Sequence, residues 1–292
     1  MRAPALALFC LVACASTRGA EGGPWHVLEM STGGARFRIE YLARDEAAAR
    51  QVAGVLPAAL ACATRWGHLS SRLTIVVRPT HGALEVAAHR ERTDWLRAWA
   101  RFDTIDLQSP LTWRIADPKH EQLEELLAHE LTHCVMYQVA GTARSWARED
   151  IPLWFREGMA SVTAGQGRYR IGIARLADYY AAGGAPLPAA GHGGRATAGG
   201  QGDPLVDPGP LYRTHSDLVY GAAHLAFAFL VERYGDGRIR ALLAHVREGR
   251  TFATAFREAM GIGADQFEAE FRRYVAWRGW APRPPSSLLA RP

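Results

Sequence analysis

Two histidines four residues apart, His129 and His133, with Glu130 directly after the first, lie in the stretch "LLAHELTHCVMYQ" from Leu126 to Gln138. On a helix, side chains four apart share a face, so both imidazoles can aim nitrogens at one ion. Glu130 sits about 100° round the same helix and can reach a water beside that ion without ligating the ion itself. Zinc in a catalytic site takes three protein ligands and leaves a fourth position open. A second stretch, "PLWFREGMAS", offers the third ligand: Glu157 follows His133 by twenty-four residues and is flanked by Trp154, Phe155 and Gly158. A carboxylate among aromatics is costly to bury unless a cation partners it. The alternative for Glu157 is a surface carboxylate paired with Arg156 or Arg148.

The combination of HExxH and a later helix carrying W-x-x-E-G-x-A resembles the gluzincin zinc metalloproteases, specifically the peptidase MA-like family. The likeness covers about residues 100–277, including the downstream "Y…A…F…ERYG" helix. It implies Zn2+ as cofactor, with His129, His133 and Glu157 as ligands, Glu130 as general base and a peptide or protein as substrate. It also implies a donor for the oxyanion of the tetrahedral intermediate. Tyr220 and His224 are the candidates, and the family favours the tyrosine. Ser161 occupies the position where thermolysin-like members carry an aspartate behind a ligand histidine, a departure that predicts a less basic ligand. The metzincin pattern fails because Met136 and Val139 stand where it needs glycine and a third histidine. There is no G-x-M-E-N stretch, the exopeptidase signature of related aminopeptidases, which points to an endopeptidase. The rival from another class is a catalytically silent zinc-binding scaffold or binding protein of gluzincin fold. The intact Glu130 speaks against it, and the missing aspartate speaks for it.

Around these residues the chain must build an α+β fold. The expectation is a zincin-like N-terminal mixed sheet with helices and the HExxH helix, followed by a small helical C-terminal bundle. The segments "WHVLEM" and "ARFRIEYL" read as strands around a "STGG" turn, and "RLTIVVRP" is a β-branched strand ended by proline. Arg44 to Trp66 is helical in spacing, with Pro57 expected to kink or divide it. A further helix is predicted over Gly82 to Trp99. Arg101 to Ser109 alternates as a strand, expected at the sheet edge beside the cleft, where an extended peptide could add to it. Asp117-Pro118 opens the motif helix, and Thr214 with Asp217 forms a capping-box pair before the helix of Tyr220. The organisation is then 1–13 signal peptide, 14–24 linker, 25–165 catalytic subdomain, 166–213 Gly-rich loop region, 214–280 helical subdomain and 281–292 disordered tail.

The bulk numbers narrow the partners. The formal charge of +5 is carried almost wholly by arginine, and Lys119 is the only lysine. These arginines are interleaved with glutamates rather than clustered, as solvated helix faces are, so nucleic acid is not an expected partner. The opening "MRAPALALFCLVACAS" has an early arginine and an apolar run too short to span a bilayer, which fits an export signal. Leu11-Val12-Ala13-Cys14 resembles a bacterial lipobox, which would place a lipid anchor on Cys14; ordinary cleavage after Ala15 is the alternative. Export leaves Cys62 and Cys134, which could form a disulfide in an oxidising compartment or remain two buried thiols.

Overall fold

In the computed structural model the described residues are 10–11, 23–113, 120–148, 150–184, 202–212 and 214–280. Cys14, the 117–118 helix opening, residues 185–201 of the Gly-rich loop region and the tail lie outside them. Among the described residues one sheet holds β1 (Cys10–Leu11), β2 (Trp25–Thr32), β3 (Ala35–Leu42), β4 (Leu73–Arg78), β5 (Ala98–Ala100) and β6 (Thr104–Gln108). Their order is β1-β2-β3-β4-β6-β5. Strands β2 and β3 form an antiparallel hairpin whose two loop residues, Gly33 and Gly34, have φ of 55° and 80°. Positive φ at both loop positions matches the strand twist, and glycine adopts it without steric cost. The centre is parallel, β3 with β4 and β4 with β6, and β5 closes the end antiparallel to β6. This mixture of strands and helices is an α+β fold.

The parallel pairs need crossovers. Helix α1 (Glu46–Ala63) connects β3 to β4, and its stripe of Ala49, Val52, Leu56, Ala59 and Leu60 is buried. Pro57 does not divide it. The proline lies on the exposed face of the helix, opposite the buried stripe. Helix α2 (His81–Ala88) is shorter than the spacing to Trp99 predicts. His89 turns left-handed at φ 52°, and Glu85 Oε1 accepts from Thr93 N–H at 2.7 Å, which ends the helix. The chain then returns as β5.

The strand within Arg101 to Ser109, expected at the sheet edge, is β6 (Thr104–Gln108). It is not the edge strand: β6 is paired on both sides, by β4 and by β5, and the edge belongs to Ala98–Ala100. Alternation in sequence reports the two faces of a strand, not its neighbours in the sheet, so it could not separate these cases.

Helix α3 (His120–Ala140) packs between α1 and the helical layers, with Leu127, Leu131 and Val135 fully buried. Gln138 fastens its far end: its amide oxygen accepts from Ser70 N–H at 2.7 Å and its amide nitrogen donates to the Phe102 carbonyl at 2.7 Å. Helix α4 (Leu153–Thr163) lies against α7 (Ser216–Arg247). Between them come α5 (Ile173–Ala181) and the single turn α6 (Gly209–Tyr212). Helix α7 contains a break at Gly235, where φ is 73°, and its first residue is preceded by His215 with no side-chain cap, so the Thr214–Asp217 box does not form. Helices α8 (Phe252–Met260) and α9 (Ala264–Trp280) complete the chain. An aromatic core joins the parts: Trp154 and Phe155 of α4 pack on Phe227, Phe252, Phe256 and Phe267. Arg247 of α7 donates to the Gln138 carbonyl at 2.8 Å and the Gly141 carbonyl at 2.9 Å, at the end of α3.

Candidate metal centre

The one-turn spacing of α3 stacks His129 over His133, and their Nε2 atoms lie 3.2 Å apart. Trp154 and Phe155 anchor α4 in the aromatic core and so present Glu157 from the opposite wall. Its Oε2 is 3.5 Å from His129 Nε2 and its Oε1 is 3.8 Å from His133 Nε2. Ligand atoms of all three residues lie within 4.8 Å of one another. A tetrahedral ion with bonds of about 2.0–2.1 Å separates its ligand atoms by roughly 3.3 Å, so the three side chains fit a zinc ion closely. Two imidazoles and one carboxylate are also zinc's usual donors in a site with an open fourth position.

The charges agree with that fit. Burial works to raise the pKa of Glu157, but facing His133 and His129 bring it down to about 2, so it stays an anion. Burial pushes His133 down to about 4, which keeps its imidazole neutral, the form that ligates. Glu130 is buried beside them, and burial raises it to about 7, with the Glu157 charge adding in the same direction. His129 moves the other way: burial lowers its pKa, but the hydrogen bond to Glu157 and the charges of Glu130 and Glu157 raise it overall, so a bound cation would take the place of that proton.

The two histidines are held differently. His129 Nδ1 is 3.1 Å from the Gln166 amide oxygen. His133 Nδ1 is buried and has no hydrogen-bond partner, and its ring is instead fixed by Tyr137, stacked at 6.0 Å and 15°. Tyr137 follows His133 by four residues, a spacing that marks it as a neighbour on the helix face. Gln166 and Arg170 carried no such signal, since they begin and end a single 3-10 turn after Gly165 that is too short for any periodicity to report its position.

Ser161, at the position where the family resemblance implies an aspartate, meets Arg170 and His224. Its Oγ accepts from Arg170 Nε at 3.0 Å and lies 3.0 Å from His224 Nδ1. His224 is thereby turned toward Gly167, where even an added Cβ would come within 2.8 Å of its Nε2. Tyr220 is partly buried, and its hydroxyl lies 2.8 Å from that of Tyr212. Burial, with the Glu157 charge next, raises the Tyr220 pKa, so it is a neutral donor. Half-exposed Trp95, just before β5, meets the rings of Tyr212 and Tyr220 edge-on at 6.5 and 6.1 Å.

The disulfide is corrected. Cys62 and Cys134 are free thiols, Cys62 exposed on α1 and Cys134 buried with its Sγ 3.2 Å from the Arg101 carbonyl. Cys62 sits on the solvent side of α1, away from the stripe that packs inward.

No family model matches this sequence, and no curated protein matches it. Solved structures do. An M1 zinc metallopeptidase from Deinococcus radiodurans is similar at 17% identity over 97% of this chain and 63% of that one, with a TM-score of 0.44. A mutant of the M1 zinc metallopeptidase from the same organism gives 16%, 96%, 63% and 0.45. An aminopeptidase N family protein from Idiomarina loihiensis gives 13%, 91%, 46% and 0.37. The chain thus covers less than two thirds of the length of each of these proteins. The candidate metal centre rests on this chain's own residues.

Proposed function

We propose that the protein is a zinc-dependent metallopeptidase, and more narrowly an endopeptidase. The observation that carries this reading is the convergence of His129, His133 and Glu157 from two helices, at separations of 3.2, 3.5 and 3.8 Å, with Glu130 buried alongside. Zinc at such a site lowers the pKa of a bound water to about 7 and polarises the scissile carbonyl.

The chain's own groups supply the rest. Glu130 accepts the proton of the attacking water and passes it to the leaving amine. Its burial makes it a stronger base than an exposed carboxylate, and its upward shift brings it near neutral pH. Tyr220, neutral and hydrogen-bonded to Tyr212, donates to the developing oxyanion. An extended peptide adds as a further strand to the outer edge of β5, which packs against α3, and its side chains pass Trp95. The buried, intact Glu130 favours an enzyme over a silent scaffold, because metal binding alone gives no reason to bury a carboxylate that does not ligate. The lipobox-like Leu11–Cys14 stretch supports export and lipid anchoring, and cleavage before Cys14 would remove β1 and leave β2 at that edge of the sheet.

Adding one equivalent of zinc to metal-free protein and incubating it with a mixed peptide library tests this. Zinc-dependent cleavage at internal bonds is the expected outcome. Tight zinc binding with no cleavage of any peptide would refute the enzyme and leave the scaffold.

A further inference from the structure

Arg170 joins three parts of the centre. Its Nη2 donates to the Gln166 amide oxygen at 2.8 Å, its Nε donates to Ser161 Oγ at 3.0 Å, and its guanidinium lies 5.3 Å from the centre of the Tyr220 ring. A guanidinium has donors only. The Gln166 atom that meets it must therefore be the amide oxygen, since a flipped amide would set NH2 against N–H. That oxygen is also the atom 3.1 Å from His129 Nδ1. An amide oxygen only accepts, so Nδ1 must carry the hydrogen. Neutral His129 is then left with its lone pair on Nε2, the atom facing His133 and Glu157.

We propose that Arg170 and Gln166 are positioning residues of the metal centre, which together lock His129 into the tautomer and ring orientation that can ligate. This rests on the reading of His129, His133 and Glu157 as a metal site. The pair does the work that a carboxylate behind the histidine would do, with one difference. An amide oxygen bound to a cation is a weaker acceptor than a carboxylate, so it orients His129 while adding little to its basicity. The same arginine also sets His224. By donating to Ser161 Oγ it leaves the serine hydroxyl hydrogen free to point at His224 Nδ1, 3.0 Å away.

The test measures zinc affinity by chelator competition and the His129 tautomer by nitrogen-15 NMR of metal-free protein. Loss of an outer partner of a ligand histidine weakens metal binding by about 10–100-fold. Gln166→Met should show that loss, with His129 no longer held as the Nδ1–H form. Gln166→Glu, which keeps an acceptor at the same place, should bind zinc at least as tightly as the parent. Arg170→Lys should lose less than Arg170→Met. Thermal unfolding of the metal-free variants identifies any that fail to fold, and Gln166→Met, which touches one partly exposed side chain, keeps the test open if Arg170→Met is one of them. Unchanged zinc affinity and an unchanged His129 tautomer in folded Gln166→Met would overturn the proposal. Absence of zinc binding in the parent protein would instead refute the metal site itself.

Discussion

Gly158 follows the third candidate ligand, and replacing it with alanine separates two opposing effects. A methyl group there would lie 2.3 Å from the Ala223 carbonyl oxygen and 2.6 Å from Phe227 Cβ, on the facing helix α7. Carbon contacts normally settle at about 3.5–4.0 Å, so α4 and α7 must part by about 1 Å. Neither obstacle is the flexible end of a side chain, so the strain cannot relax locally. Overpacking of this kind costs about 1–3 kcal/mol, occasionally more. Alanine recovers about 0.8–1.0 kcal/mol of helix propensity over glycine, which is not enough to reverse the sign. The expected net loss is up to about 2 kcal/mol, read as a fall in Tm of up to several degrees at about 2–4 °C per kcal/mol. Because α4 carries Glu157, the shift should also move that carboxylate relative to the two imidazoles. Misplacement on the order of 1 Å is enough to cost about 100-fold in rate. Scanning calorimetry with a chelator-competition measurement of zinc affinity reads both effects. Gly54→Ala is the control: it lies in α1 with nothing within 4 Å of an added Cβ, so propensity alone should act. A Gly158→Ala protein as stable as the parent and with unchanged zinc affinity would show that the close approach of α4 to α7 does not set the position of Glu157.

Other outcomes follow from the same geometry. Glu130→Gln should abolish hydrolysis and leave zinc content intact, and near-parental turnover in that variant would remove the general-base role. In metal-free protein the same variant should also be the more stable above neutral pH. Burial holds folded Glu130 at about 7 against 4.5 unfolded, so its stabilising protonation is complete below about 4.5 and lost as pH rises through about 7. Denaturant titrations at pH 5 and 9 should show the gap widening by on the order of 3 kcal/mol at about 1.4 kcal/mol per pKa unit; a constant gap would contradict it. Chelation of zinc should lower Tm, and restoring zinc should raise it in proportion to the logarithm of free metal. His133→Ala should show neither response. Thiol labelling followed by peptide mapping should modify Cys62 in the native protein and Cys134 only after unfolding, because burial also raises the Cys134 pKa; a Cys62–Cys134 crosslinked peptide would refute both assignments.

The cluster of His129, His133 and Glu157 was legible because helical spacing translates directly into shared direction, and the pairing of His129 with His133 needed nothing more. Glu157 was legible by a different route, the cost of a carboxylate among aromatics. What failed shares one cause: periodicity describes a residue's own element and says little about its neighbours. The alternation in Thr104–Gln108 is the same for an edge strand and for one paired on both sides. The three-residue β5 is too short to show any period and was absorbed into a helical reading. Cys62 sits in an alanine-rich run, "ALACATRW", where small apolar residues occur on both faces, so its exposure could not be read. Gln166 and Arg170 meet the centre only because the chain after Gly165 folds back over α3, which is a tertiary event.

The contact of Arg247 with the end of α3 bears on how the protein comes apart. The last carbonyls of a helix lack partners of their own. For the helix that carries both histidines, one of those terminal carbonyls, that of Gln138, and the Gly141 carbonyl just beyond the helix are satisfied by a residue more than a hundred positions later, at the end of α7. The positive charge also lies where the helix dipole is negative. A nascent chain emerging from the ribosome would therefore present the histidine helix well before the residue that closes it is made. Protection of its final amides from hydrogen exchange should arrive only with α7, and should vanish together with that of α7 when the protein opens.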